Sequence, residues 1–132
     1  MTQEERQLLL IDVSARLPYG VYVHFCNTNI DEKLTEISLG ETISQIRHNG
    51  KGNQGLIKPY LRPLSSMTGE ENKEFQQVIE IELKALEGPE GHTIDSAASS
   101  AFQIDFYNKH HFDYRGLIPL GLALEAPAGM YV

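Results

Sequence analysis

Two groups of side chains in this sequence carry the residue types that chemistry needs. The first is His110-His111-Phe112-Asp113. Imidazoles and a carboxylate are the ligand types for zinc or iron. The i,i+3 spacing of His110 and Asp113 would put them on one side of a helix. With a further ligand, such a cluster would support a metal-dependent hydrolase. His24, His48 and His92 are the candidates for that ligand, each far away in the chain. The competing assignment is structural. One imidazole closes the helix C-terminus, and Asp113 pairs with Arg115 or caps the next turn.

The second group is basic and aromatic. Arg47, Lys51, Lys58, Tyr60 and Arg62 fall in a stretch, Thr42 to Gly69, that has no acidic residue. Lys58, Tyr60 and Arg62 alternate onto one face of an extended segment. Such a face can hold phosphates and stack a base. Lysine and arginine on an edge strand also serve simply to block edge-to-edge pairing. Gly50, Gly52 and Gly55 satisfy G-x-G-x-x-G, but that fingerprint needs a strand before it and a helix after it. The residues that follow are LIKPYLRPL, and Pro59 and Pro63 forbid a useful helix. The dinucleotide reading is therefore rejected in favour of a flexible loop. Nucleophilic catalysis has less support. Cys26 falls in an apolar strand where a thiol is inert, and no serine has a strand-turn-helix setting.

Composition bounds the rest. A chain of 132 residues is expected to form one domain, residues 1–132. An apolar fraction of 41% with 22% charged residues is that of a globular protein rather than a disordered one. The single cysteine excludes an internal disulfide and suits a reducing compartment. The first residues, MTQEERQLLL, carry acids where a signal peptide carries lysines. No run approaches the roughly 20 apolar residues of a membrane span. The expectation is a cytoplasmic protein away from the membrane, without a cofactor. A formal charge of −7 disfavours general nucleic-acid binding and leaves another protein as the expected partner.

The elements that must position these groups follow from local signals. Thr2 and Glu5 form a capping box for a first helix, Thr2 to Leu17, which Pro18 ends. Tyr19 to Cys26 alternates as a central strand, with Val21, Val23 and Phe25 on one face. His24 in that strand is expected to be a hydrogen-bonded core residue. Asn27 to Asp31 reads as a turn and Leu34 to Leu39 as a strand. Thr42 to His48 is a poorer strand, because Ile43 and Ile46 are spaced for a helical turn or a bulge. Leu56 to Leu64 is an extended segment that its two prolines confine to an edge or to the periphery of the sheet. Thr68 and Glu71 cap a second helix that Gly88-Pro89 closes. Ser99 or Ser100 can cap a third, with Phe102 and Phe106 inward. Leu117, Ile118, Leu120, Leu122 and Leu124 should then pack on the first helix and the sheet, with tight turns at Gly116 and Gly121. The fold class is α+β: a small antiparallel or mixed sheet of three to four strands packed by about three helices.

The segments LLLIDVSARLPYGVYV, IKPYLRPLSSMT and IDFYNKHHFDYRGLIPLGLALEAPAGMY resemble a group of small uncharacterised proteins. These are encoded in genomes, prophages and mobile elements of gut anaerobic bacteria. The likeness covers about half of the chain, in the same order, and is weakest over residues 27 to 55 and 87 to 100. The group has no assigned activity or cofactor, so the resemblance implies context alone: an intracellular accessory protein, with phage or prophage origin as one source. Because every catalytic pattern is incomplete, the preferred expectation is a non-enzymatic binding or adaptor module. Nucleic-acid or phosphate binding through residues 47 to 62, and metal-dependent hydrolysis through residues 110 to 113, are the alternatives.

Overall fold

Thr2 starts the chain's first helix as its side chain suggests. Its hydroxyl accepts the Glu5 N–H, and the Glu5 carboxylate accepts the Thr2 N–H in return. In the computed structural model, which describes residues 2–26, 28–48, 57–86 and 101–131, this helix is α1, Gln3–Arg16. β1 (Tyr22–Phe25) and β2 (Ile30–Lys33) follow, then α2 (Glu36–His48) and β3 (Ile57–Leu61). The chain continues through α3 (Gly69–Leu86), α4 (Ala101–Lys109) and β4 (Leu124–Glu125). The fold is mixed α+β. The sheet order is β2-β1-β3-β4, antiparallel except for the parallel β3–β4 pair. No described helix is long and apolar enough to cross a membrane.

β1 is central, between β2 and β3. Val21, Val23 and Phe25 are buried against Leu9 and Val13 of α1, Ile46 of α2, and Ile57 and Leu61 of β3. Leu117, Leu122 and Ala123 close this core from the C-terminal side. Leu120, expected inside, is 53% exposed, because the turn at Gly121 carries it outward. A second apolar layer joins α3 to α4. Phe75 packs on Phe106 and Tyr107, and Phe106 stacks near Phe112.

Several expectations are corrected. Leu34 to Leu39 is not a strand; Glu36 to His48 is one helix. The signal for it is a cap. Thr35 Oγ1 accepts the Ser38 N–H, and Ser38 Oγ accepts the Thr35 N–H. The apparent alternation of Thr35, Ile37 and Leu39 is accidental, since Ile37 is 96% exposed. Thr42 and Ile46 are buried at helical spacing instead. The strand lies earlier, at Ile30–Lys33, beginning in the last two residues of the expected turn; all four residues are exposed, and β2 is held by its backbone ladder to β1. β3 is not an edge strand either. It lies between β1 and β4, and the ladder to β4 begins at Tyr60, one residue past Pro59. Cys26 is exposed, and so is Phe102, at 49%. The glycine-rich loop with Lys51, His92, the Gly88-Pro89 stop and the caps at Ser99 and Ser100 lie outside the described residues.

Gly116 and Gly121 both sit at φ +75, the left-handed region that glycine enters without penalty. A Cβ on Gly121 would meet no atom within 4 Å. Gly121→Ala therefore isolates the backbone cost. It should lower stability by about 1 kcal/mol, readable in a urea titration.

Candidate functional site

The His110–Asp113 segment is not helical. α4 ends at Lys109, and the chain turns through His111 at φ +61 before Phe112 bridges to Arg62 of the strand end. Three sets of bonds fix this bend. The Arg62 N–H donates to the His111 carbonyl and the Asp113 N–H to the Arg62 carbonyl, both at 2.8 Å. Arg16, fully buried, donates to the Phe112 carbonyl at 2.6 Å. Asp113 spends both carboxylate oxygens on the N–H groups of Leu117 and Ile118. It therefore caps the next turn, and its carboxylate serves the backbone there rather than joining the imidazoles.

His110 and His111 diverge in role. The His110 ring lies between two carboxylates of α3, Nδ1 at 3.3 Å from Glu71 and Nε2 at 3.3 Å from Glu74, while its face packs on Phe106 at 4.6 Å. Glu71 is itself gripped by Arg62 through two bonds of 2.6 Å. The Arg62 guanidinium holds its carboxyl at about 2. His111 is buried and stacks on Tyr131 with ring centroids 3.9 Å apart. Burial and the nearby Arg16 charge depress it to about 4. Among the described residues no group of three or more His, Cys, Asp or Glu side chains is placed to hold a metal ion.

Around these rings the chain forms a pocket of about 470 Å³. Its polar wall is Lys33 from the end of β2, Arg62, Lys109, His110 and His111. Tyr19, Tyr22 and Tyr131 supply the aromatic wall, and no carboxylate lines it. Arg62 and Lys109 have acidic partners behind them. Glu71 holds Arg62, and Glu74 reaches Lys109 at 3.4 Å, a loose and exposed contact. The arrangement can take an anion.

Of the residues singled out from the sequence, Arg62, His110 and His111 converge here. Lys58 and Tyr60 share the outer sheet face, beside His24, whose Nδ1 lies 2.6 Å from Asp31. Tyr60 donates to the same carboxylate at 2.8 Å, and these two bonds lower Asp31 below the usual carboxylate range. Arg47 belongs to α2; its side chain, like that of His48, is outside the described residues. Sequence reasoning missed Lys33, Lys109, Tyr19 and Tyr131, which have no shared spacing. It also missed Asp12 and Arg16. These two did carry a signal, an acid and a base four apart within the stripe Leu9, Asp12, Val13, Arg16.

Tyr131 also fixes the pocket's inner wall. Its hydroxyl accepts the Tyr22 N–H and donates to the Tyr60 carbonyl, both at 2.8 Å, joining β1 to β3 where their ladder ends. Tyr131→Phe would leave both backbone groups without a partner. The expected loss is about 1–3 kcal/mol by chemical denaturation.

No family model matches this chain, and no curated protein or solved structure matches it.

Proposed function

We propose that this protein is a non-enzymatic binding module for a phosphate-bearing ligand. The observation that supports this reading is the pocket wall: the cations Lys33, Arg62 and Lys109, with no carboxylate among the lining residues. On a chain of net charge −7, a local cluster of cations is a site where an anion is favoured over its surroundings. Arg62 is locked by Glu71 and serves as a fixed wall, whereas Lys109, held only by its loose contact with Glu74, can turn with Lys33 onto a ligand. A single-stranded oligonucleotide is the second reading. It is favoured because Lys58 and Tyr60 share the outer sheet face with Tyr22 and Lys33.

Calorimetric titration with inorganic pyrophosphate at low salt tests the reading. Binding should weaken as salt rises, because the contacts are charge–charge. Lys33→Glu with Lys109→Glu should weaken it about tenfold or more, with circular dichroism unchanged. No heat of binding at low ionic strength would remove the proposal.

A further inference from the structure

One ring of the pocket's lining, Tyr19, has no aromatic neighbour among the described residues. Tyr22 and Tyr131 meet at a tilt with ring centroids 5.8 Å apart, Tyr60 meets His24 at 6.2 Å, and Tyr107 stacks on Tyr114 at 5.4 Å. Tyr19 has no such ring partner among the described residues, and 38% of its surface is exposed. It stands on a short 3₁₀ turn, Leu17–Tyr19, which begins the link from α1 to β1. Pro18 within the turn fixes its φ, so the ring is presented on a stiff support.

The residue after it gives a second observation. Gly20 sits at φ +70, and a Cβ built there would collide with Cε of Lys33. The bare glycine therefore serves two ends. It permits the left-handed turn, and it leaves the space across which the Lys33 side chain runs into the pocket. Lys109 reaches the same pocket from the end of α4. An open aromatic face and two ammonium groups from separate elements thus share one cavity of about 470 Å³, a size that suits a small molecule.

We propose that the pocket takes a mononucleotide, its base stacked on Tyr19 and its phosphate held between Lys33 and Lys109. The inference rests on the phosphate-binding reading above and adds the aromatic half of the ligand. A base offers a π-face whatever its identity, so stacking on one tyrosine gives affinity with little preference among bases. The ammonium groups bind the phosphate as point charges and would displace the loose Glu74 contact of Lys109.

The experiment is a calorimetric comparison of adenosine monophosphate with ribose 5-phosphate on the whole chain. Adenosine monophosphate should bind about tenfold more tightly, the share expected of one stacked base. Tyr19→Ala should erase that difference, weakening adenosine monophosphate about tenfold more than ribose 5-phosphate. Gly20→Ala should weaken both ligands severalfold by displacing Lys33. On the unaltered protein, saturation-transfer NMR should show the base protons receiving more saturation than the ribose protons. This second readout does not depend on any variant folding. Equal binding of the two ligands, or a difference that survives Tyr19→Ala, would overturn the nucleotide inference and leave the phosphate reading standing. Binding of neither would overturn both.

Discussion

Asp12→Ala should destabilise the protein by about 3–5 kcal/mol, a large share of the total stability of a domain this size. Asp12 and Arg16 are both fully buried one turn apart on α1. Arg16 Nε reaches Asp12 Oδ2 at 2.9 Å, and Nη2 reaches Oδ1 at 3.1 Å. Arg115 adds a third bond to Asp12 at 3.2 Å. Removing the carboxylate would leave a guanidinium in the core with only the Phe112 carbonyl and the face of Tyr114 to solvate it. The cost comes from the stranded charge rather than from the pair's own attraction. Replacing both partners, as in Asp12→Leu/Arg16→Met, should therefore recover much of the loss, unless the Phe112 carbonyl bond proves equally important. Urea denaturation of the two variants separates these cases. A loss below 1 kcal/mol for Asp12→Ala would show that water reaches Arg16.

The same pair marks where the sequence could and could not be read. α1, α3 and β1 were legible because each carries its own local signal: a Thr-x-x-Glu box, a proline stop, or strict alternation. α2 was not. Gly40 within it lowers helix propensity, and Thr35-Ile37-Leu39 imitates a strand, a signal that masks the weaker Thr35–Ser38 cap. β2 carries no apolar pattern at all, and pairing with β1 decides its conformation. Pro59 lies in an interior strand because β4 is two residues long and pairs only beyond the proline. The site was partly legible. Arg62, His110 and His111 were identifiable by type, but their convergence depends on a parallel bridge between segments 50 residues apart, Arg62 to Phe112. Lys33 and Tyr19 enter the pocket through tertiary placement alone. Asp12 and Arg16, polar residues in an apolar stripe, would have been flagged by asking what such a position must bury.

His111 should make folding stability fall with acid well before the carboxylates titrate. In the unfolded chain its imidazole protonates near 6.5; in the folded protein, only near 4. The folded state therefore resists a proton that the unfolded state accepts. Stability is complete above pH 6.5 and declines as the pH falls toward 4. The depression of roughly 2.5 units corresponds to about 3 kcal/mol at most. Its cause is geometric. The ring is 4% exposed, stacked on Tyr131 and close to the buried Arg16, so an imidazolium would face a cation without water to screen it. Glu71 adds a separate acid-sensitive contribution, present above 4.5 and lost toward 2, which leaves the interval from pH 6.5 to 4.5 free of it. His111→Asn suits the test, because asparagine tolerates the φ of +61 and does not titrate. Denaturation midpoints across that interval should slope for the natural protein and flatten for the variant, whatever the variant's absolute stability. Equal slopes would mean that His111 takes up its proton in the folded state, and that the stack on Tyr131 opens to water.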